Sequence, residues 1–513
     1  MEKEQKTRRR KSARAKRDAN QIQQPPWRTV RNPFKPLELL NPEQLERVHQ
    51  ASLTVLRDMG VEFMSSEALD VLERAGAEVD RETQIVRFDP ALVEESLSHA
   101  PSEFDVEARN PDHSFHIGGD HMVFTLVSSA PNINDLDRGR RPGTFEDQCN
   151  LIRLEQSLNV LHTGAITPVE ALDMPVHSRH LDLVHAYLTL SDRSFSARAI
   201  GSQRIIDTLE MTCIAHGIDR DEMCKKPRIM TNVNVNSPRR MDAELLSGAM
   251  AMMDNGQPVA VTPFTLAGAM SPVTIAGSLT QQNAEALAVL AFTQMYKPGT
   301  PVIYGGFTSN VDMKSGAPAF GTPEYVKATI AGGQLARRYN LPYRSSNVNA
   351  ANSVDAQAAY ESMMSLWACM MGGANLIWHG AGWLEGGLAS SYEKLIIDAD
   401  LLSQMVEIMQ PIEVSDESLA LEAIDEVGIA GHFFGTAHTL ARYESAFFSP
   451  LASDWRNFEN WEDAGSPNAA QHANRIWKQL LEQYEPPPMD VGRREELDEY
   501  LARRKAEIGE GSW

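Results

Sequence analysis

Cysteine is scarce in this chain of 513 residues, and no long apolar run is present. The four cysteines, Cys149, Cys213, Cys224 and Cys369, form neither a CxxC pair nor a Cys/His spacing typical of zinc. This pattern predicts a reduced cytoplasmic protein without a structural metal. No stretch reaches the roughly 20 apolar residues of a membrane span. No apolar segment follows the basic N-terminal residues, so a secretory signal is not predicted either.

A basic surface is lacking from most of the chain. The formal net charge is −21, although residues 1–20 hold nine Lys/Arg and three Asp/Glu, so the remaining residues carry −27. Nucleic-acid binding depends on contacts between basic side chains and phosphates, and such an acidic body argues against it. We predict that residues 1–35 form a disordered basic tail.

The middle of the chain alternates between short apolar or β-branched runs and helical segments. Seven runs are evident, at residues 159–164, 194–200, 228–235, 258–264, 301–307, 343–346 and 374–378, and an eighth is predicted near Met122. The intervals are long enough for crossover helices, which predicts parallel strands with right-handed connections. We predict an α/β fold, a TIM (β/α)8 barrel over residues 141–410. A doubly wound open sheet is the alternative, but no GxGxxG or Walker loop follows a run.

The flanking segments have a different pattern. Residues 36–140 are predicted to be a lead-in of helices and a β-hairpin, with a helix starting at Asn41-Pro42 and the hairpin over residues 77–88. Residues 411–513 are predicted to be a helical extension that packs on the barrel. His432 and His438 in this extension suggest a metal, but lone histidines at this spacing are more often structural.

A glycine-rich loop follows the last predicted strand. His379, Trp383 and Glu385 stand among glycines there, and Ser390 with Glu393 predicts a capping box that starts the next helix. The active site of a TIM barrel lies at the carboxyl ends of the strands, which is where this loop is placed. A glycine-rich connector with core tryptophans is the alternative interpretation.

Polar and aromatic residues cluster after the other predicted strands as well. The candidates are Tyr304, Phe307, Asp312, Arg344, Gln357, Glu361, Trp378, His379, Trp383 and Glu385. Aromatic faces and carboxylates suit an organic cation, each cation–π contact contributing about 0.5–2 kcal/mol. Core packing for the aromatic residues, and an ordinary helix face for Gln357 and Glu361, are the alternatives.

Several motifs resemble the trimethylamine methyltransferase family. They are YGGF at 304–307, DMKSGAPAFGTPE at 312–324, DAQAAYE at 355–361, GGANLIWHGAGWLEGGL at 372–388 and GHF at 431–433. The resemblance implies a TIM-barrel enzyme that moves a methyl group from a methylated amine to the cobalt of a corrinoid on a separate protein. Archaeal members carry pyrrolysine in the region corresponding to residues 347–355. This chain has ordinary residues there, and so is more similar to the bacterial members that act on quaternary amines such as glycine betaine.

The positive charge of such a substrate suggests roles for the candidate residues. Tyr304, Phe307, Trp378 and Trp383 would form the walls around the cation, and Asp312, Glu361 and Glu385 would be its charge partners. If the substrate is a betaine, Arg344 would bind its carboxylate in bidentate fashion, while His379 and Gln357 would orient their neighbours. Of these, Asp312, Glu385 and His379 would be closest to the chemistry.

The partners of the reaction follow from the same resemblance. The sequence has no Asp-x-His-x-x-Gly corrinoid-binding pattern. We therefore predict that the chain binds no cofactor of its own and meets a corrinoid protein as partner. A homo-oligomer is also predicted. Two further hypotheses stay open: a barrel hydrolase or lyase that uses Asp312, Glu385 and His379 for acid–base chemistry, and a non-enzymatic betaine-binding protein.

Overall fold

Eight parallel strands form the centre of the protein, whose computed structural model describes residues 22–509. In chain order, β1 to β8 are His121–Leu126, Gly164–Ala165, Phe195–Ala197, Ile229–Val235, Val259–Ala267, Val302–Gly305, Tyr343–Ser346 and Leu376–Ala381. Strands β2 to β8 pair in this order, and β8 pairs in parallel with β1. A parallel bridge between Thr125 and Thr163 joins β1 to the start of β2 and closes the ring. The predicted TIM barrel is confirmed, including its strand near Met122.

One long helix follows each strand. Helices α1 to α8 are Phe145–Ser157, Arg179–Leu190, Ser202–His216, Ala243–Asp254, Ile275–Tyr296, Pro323–Arg338, Ala356–Gly372 and Tyr392–Ile408. The cap of α8 differs from the predicted one: the side chain of Ser391 accepts a bond from the amide of Lys394, whereas Ser390 donates to the carbonyl of Pro168. Each crossover returns the chain to the amino end of the next strand, so all carboxyl ends meet at one mouth.

The structure corrects two predicted boundaries. Strand β1 lies within residues 36–140, so the barrel begins before residue 141. The described part of the predicted disordered tail is ordered: the strand Val30–Arg31 pairs antiparallel with β1, and the ring of Trp27 lies 5.5 Å from that of His162. The short strand paired with β1 and the ring of Trp27 against His162 hold this segment to the barrel. Residues 1–21 lie outside the described residues.

The lead-in closes the amino end of the barrel. A hairpin of Phe104–Val106 and Phe115–Ile117 packs against the first residues of the barrel strands. Three helices, Pro42–Thr54, Ser66–Arg74 and Pro90–Leu97, pack on α5, and the first continues as a π turn over Val55–Met59. The strands Val61–Phe63, Glu78–Asp80, Ile85–Arg87 and Arg240–Met241 form a small sheet. The predicted helix at Asn41-Pro42 and the hairpin over residues 77–88 are confirmed.

Short elements occupy the loops after the barrel strands, the connection between α3 and β4, and the turn of the lead-in hairpin. They are the strands Asn132–Asp135, Gly139–Pro142, Phe307–Val311, Pro318–Ala319, Trp383–Leu384 and Ala389–Ser391, the helix Arg220–Met223, and 3-10 turns at Pro111–His113 and Glu385–Gly387. Among residues 22–509, no helix is long and apolar enough to cross a membrane.

The C-terminal extension packs on the barrel through its last two helices. Helix Ala469–Gln483 lies on α8, where Trp477 stacks on Tyr392 with ring centroids 4.6 Å apart. Helix Val491–Ile508 lies on α2 and α3, and Arg504 binds the buried carboxylate of Asp207 at 2.9 Å. Between α8 and these helices run four short ones, Asp416–Leu419, Leu421–Val427, Ala437–Leu440 and Phe458–Asp463. In the part of the chain that the structure describes, no three His, Cys, Asp or Glu side chains come together as a metal site requires. His432 and His438 therefore belong to no such group there.

Candidate active site

A cavity of about 430 Å³ lies at the carboxyl ends of the strands, and residues of all eight strands or of the loops that follow them line it. The lining side chains that bear on the chemistry are Ser128, Thr167, Arg198, Asn232, Asn234, Thr262, Phe264, Phe307, Arg344, Trp378, His379 and Trp383. Asp and Glu are absent from this lining. The cavity therefore combines aromatic faces, neutral polar groups and two arginines.

Aromatic rings form one continuous wall of the cavity. The ring centroid of Phe307 lies 5.1 Å from that of Phe264 and 6.1 Å from that of Trp383. Phe320 supports them from behind, 5.6 Å from Phe307 and edge-on to Trp383 at 6.1 Å. These separations are typical of packed aromatic pairs. Such a wall presents the negative faces of rings to a ligand and suits a quaternary ammonium.

The loops after β7 and β8 hold Trp383 in place. Its indole N–H donates to the carbonyl of Asn349 at 3.1 Å, and the amide of Asn349 donates back to the carbonyl of Trp383 at 3.0 Å. Gly387 lies flat against the ring, since a Cβ there would approach it to 2.7 Å and the residue has a φ of 94°. Glycine is required at this position on both counts.

A buried ion pair supports the same loop from below. Lys394 and Asp398 of α8 are fully buried and paired. The ammonium of Lys394 also donates to Ser362 at 2.6 Å, and Asp398 accepts the backbone N–H of Gly382 at 2.9 Å, next to Trp383. Burial lowers the pKa of Lys394, while the Asp398 carboxylate opposes that shift. The pair therefore joins α8 to α7 and to the loop that carries Trp383.

Arg344 is the most unusual group of the cavity. It is 2% exposed, and neither its Nε nor its Nη1 has a hydrogen-bond partner among the described residues. No carboxylate among residues 22–509 lies near enough to affect its charge. Its guanidinium carbon lies 5.4 Å from the ring of Trp378 and 5.6 Å from that of Phe307. Burial lowers the pKa of Arg344 to about 10, so the group is still a cation at neutral pH.

A buried cation without a counter-ion is costly to fold. The N–H groups that point away from any protein acceptor are therefore available to an anion that enters the cavity. A carboxylate matches the planar fork of a guanidinium and can accept two parallel bonds from it. Arg344 thus supplies a site for a carboxylate directly beside an aromatic wall.

His379 is a neutral donor. Burial, together with the nearby charge of Arg344, holds the pKa of His379 well below its ordinary value. Its Nδ1 accepts the backbone N–H of Ser128 at 3.2 Å, so the proton of the neutral ring is on Nε2. Its φ of 54° lies in a region that non-glycine residues rarely occupy. Residues with such a backbone conformation are concentrated at functional sites. With this tautomer the ring offers no free lone pair for a general base.

The structure brings together five of the ten candidates from the sequence: Phe307, Arg344, Trp378, His379 and Trp383. Tyr304 faces the helices instead, where its hydroxyl donates to Asn283 at 3.0 Å. Asp312 lies on an exposed turn and accepts bonds from the hydroxyl and amide of Ser315, which lower its pKa. Neither residue lines the cavity.

The other three candidates stabilise loops. Glu361 accepts the backbone N–H groups of Ala350 and Ala351 at 2.8 and 3.0 Å, and Gln357 donates to Glu361 at 2.9 Å. Glu385 is paired with Arg140 at 2.7 Å. Glu385 lies on the loop of Trp383, whereas Glu361 and Gln357 fix the loop after β7, whose Asn349 contacts Trp383. None of the three side chains is part of the lining.

Sequence reasoning missed several lining residues. Phe264, Asn232 and Asn234 lie within predicted strands, and Arg198 belongs to the predicted strand over residues 194–200. The charge of Arg198 is compensated, since Glu170 pairs with both Arg198 and Arg179. Strands that are buried on both faces do not show in the sequence which residues face the barrel interior, so no local signal indicates these residues.

The chain is similar to known methyltransferases over most of its length. Residues 6–509 match the family model described as trimethylamine methyltransferase (MTTB). The chain is 35% identical over 473 residues to the glycine betaine methyltransferase of Desulfitobacterium hafniense strain Y51, covering 92% of this chain and 98% of that protein. It is 29% identical over 453 residues to the trimethylamine methyltransferase MttB of D. hafniense strain DCB-2, covering 87% and 90%. The crystal structure of the Methanosarcina barkeri monomethylamine methyltransferase MtmB aligns over 90% of this chain and 92% of that one, with 10% identity and a TM-score of 0.48.

Proposed function

Because the chain belongs to the trimethylamine methyltransferase family, we propose that it moves a methyl group from a carboxylated quaternary amine, such as glycine betaine, to the corrinoid cobalt of a separate protein. Methyl transfer from a methylated amine is the activity of this family and of its relatives named above. The observation that supports the carboxylated substrate is the buried, unpaired guanidinium of Arg344.

Charge balance favours a zwitterion over a simple cation. A bare ammonium about 6 Å from a guanidinium is repelled by roughly 3 kcal/mol at an effective dielectric constant near 20. The lining has no carboxylate to offset this repulsion. A betaine brings its own carboxylate, which pairs with Arg344, while its ammonium lies against the rings of Phe264, Phe307 and Trp383.

The chain's residues act by positioning. The quaternary nitrogen already carries the charge that makes the amine a good leaving group, so no proton has to be donated to it. Arg344 and the aromatic wall hold the two ends of the substrate and direct one methyl group toward the mouth. The wall also excludes water. The corrinoid would supply the nucleophile that accepts the methyl group.

The mouth offers a surface to the acceptor protein. Apolar side chains on the loops after β2, β5, β6 and β8 are each more than half exposed: Leu172, Val176, Val273, Met313 and Leu388. Leu388 also lines the cavity. We propose that the corrinoid protein covers this rim during transfer, because exposed apolar patches around a cavity often mark interaction sites.

The proposal is tested by mixing the protein with a reduced corrinoid protein and one methylated amine, and following the absorbance of the cobalt. Glycine betaine, carnitine and proline betaine carry a carboxylate, whereas choline and trimethylamine do not. We expect methylation with at least one carboxylated amine and much less with choline. Demethylation that proceeds without a corrinoid protein would favour the hydrolase or lyase hypothesis. Tight binding without turnover would favour a non-enzymatic binding protein.

Removing the central ring of the wall should weaken substrate capture. We expect Trp383→Ala to raise the KM for the substrate about 10- to 100-fold, through the lost cation–π contact and the water that enters. Trp383→Phe should stay within about fivefold of the wild type, because a ring remains. Glu385→Gln is the matched control on the same loop, and its KM should change little, because Glu385 does not line the cavity and a glutamine oxygen can still accept the bond from Arg140. Unchanged kinetics in Trp383→Ala would remove this ring from the site.

Substrate affinity should not depend on pH near neutrality. Arg344 keeps its charge because its pKa is about 10, and His379 stays neutral because its pKa is well below 6.5. We therefore expect the dissociation constant of glycine betaine, measured by calorimetry, to vary less than about twofold between pH 6 and 9. A transition in that interval would show that a titrating group other than these two controls binding.

The cytoplasmic location stays a prediction of the sequence.

A further inference from the structure

A second, smaller cavity adjoins the one described above. It has a volume of about 110 Å³ and lies where the chain leaves β2 and β3 and begins α2 and α3. The two cavities share Thr167 and Arg198 in their lining. We call the smaller one the side pocket, and Arg179, His180 and Arg204 are its other polar lining residues that bear on a ligand. No step of the methyl transfer proposed above uses it.

The side pocket is strongly basic. Arg179, Arg198 and Arg204 line it, whereas Asp and Glu are absent from its lining. Arg179 and Arg198 share a single carboxylate, since Glu170 pairs with both. Arg204 makes no ion pair and no side-chain hydrogen bond within residues 22–509. Three guanidinium groups therefore have one carboxylate among them, which leaves two positive charges without a counter-charge.

Two other carboxylates lie close by without offsetting this excess. Asp207 is bonded to His180 at 3.0 Å, and Arg504 of the last helix supplies its cation at 2.9 Å. The carboxylate of Glu244 lies beside Gly201 at the start of α3, but Glu244 is absent from the lining of the side pocket. The basic character of the side pocket is therefore not cancelled by its surroundings.

Two buried polar atoms of the side pocket lack a protein partner. Thr167 is 2% exposed, and its hydroxyl has no hydrogen-bond partner among the described residues; the same holds for Nδ1 of His180. A buried hydroxyl without a partner is unfavourable, so it is available to an acceptor that enters the side pocket. Helices α2 and α3 also begin here, and neither N-cap residue, Ser178 or Gly201, makes a side-chain capping bond. The positive ends of both helix dipoles favour an anion.

We propose that the side pocket binds a phosphate group, either as the free ion or as the end group of a small molecule. The two guanidinium charges without a counter-charge match a phosphate, which carries a charge of about −1.5 to −2 near neutral pH. The forked N–H groups of arginine suit its oxygens. The volume, equal to that of about four waters, suits a group of five heavy atoms. A betaine does not match, because its ammonium would lie among guanidinium groups.

The test is a calorimetric titration of the full chain with inorganic phosphate near neutral pH, at an ionic strength held constant with sodium chloride. We expect one site per chain with a dissociation constant below about 1 mM. Arg204→Met should weaken binding about 10- to 100-fold, because it removes charge-assisted hydrogen bonds. Thr167→Val, which replaces only the hydroxyl, should weaken it about 3- to 10-fold. The titration requires neither a corrinoid protein nor an amine, so its outcome is independent of the methyl transfer proposed above.

Arg47→Met is the matched control. Arg47 is exposed on the lead-in helix Pro42–Thr54 and does not line the side pocket, so this variant loses the same charge and should bind phosphate as the wild type does. Thermal unfolding of each variant confirms that it is folded.

Glycerol phosphate distinguishes the two sources of the group. Inorganic phosphate that binds at least as tightly as the ester supports the free ion, whereas tighter binding of the ester supports an end group. The proposal is overturned if the wild type shows no saturable binding up to about 10 mM phosphate, or if Arg47→Met loses as much affinity as Arg204→Met. Unchanged binding in Thr167→Val would place the anion outside the side pocket and overturn it as well.

Discussion

Arg344→Met is expected to lower kcat/KM for glycine betaine by about 100- to 1,000-fold. The variant loses a bidentate, charge-assisted contact to the carboxylate, and the desolvated carboxylate is then left without a partner. Turnover of choline, which has no carboxylate to bind, should be unchanged or higher, because the repulsion between two cations disappears. Initial rates with both amines, under saturating corrinoid protein, measure this reversal of preference.

The same variant should be more stable than the wild type. The wild type carries a buried guanidinium without a counter-ion, and methionine fills a similar volume without a charge. Thermal unfolding of Arg344→Met should therefore occur at a higher temperature, as expected where function is retained at a cost in stability. Arg344→Lys is the control, since it keeps the charge and loses the planar fork, and it should keep an intermediate part of the betaine activity. Equal losses for betaine and choline, with a less stable protein, would mean that Arg344 has only a structural role.

Lys394→Met is expected to lower the free energy of unfolding by about 3–5 kcal/mol. The substitution leaves the carboxylate of Asp398 fully buried without its cation, and it removes the bond from Lys394 to Ser362. The loop that carries Trp383 is attached to this carboxylate through Gly382, so substrate affinity should fall as well. Urea unfolding followed by circular dichroism gives the stability.

A double variant separates charge from packing. In Lys394→Met/Asp398→Asn the buried site is neutral, and the new amide oxygen can still accept the N–H of Gly382. Most of the stability should return, since neutralising both members of a buried pair is often nearly without cost. A single variant as stable as the wild type would show that the pair does not contribute to the fold.

The predicted fold could be obtained from local patterns alone. The signals that predict it are local: short β-branched runs, intervals of crossover length, and helix caps such as Asn41. Burial of the apolar faces of these elements then leaves few ways to arrange them. Seven evident runs predict an eighth strand for a closed barrel, and the apolar run near Met122 fits it. The end of the disordered tail cannot be predicted in this way. Residues 22–35 are held by contacts with β1 and His162, and nothing within the segment indicates those contacts.

The candidate site was only half predictable for a geometric reason. Tyr304 pairs in register with Tyr343, and its ring packs beside that of Tyr343 toward the helices, whereas Arg344, one residue further along, lines the cavity. A shift of one residue moves a side chain to the other face of a strand, and the pattern of short buried strands does not reveal which face is which. For the carboxylates, the sequence does not show which backbone amides will be near, and Glu361 is used to bind two of them.

The sequence by itself determined the order of strands and helices, the end of the barrel at which the site lies, and the family motifs, because all of these depend on residues close together in the chain. The tertiary structure decided which side chains share the cavity and left Arg344 without a counter-ion. These properties depend on the distances between segments far apart in sequence, which only the closed barrel sets.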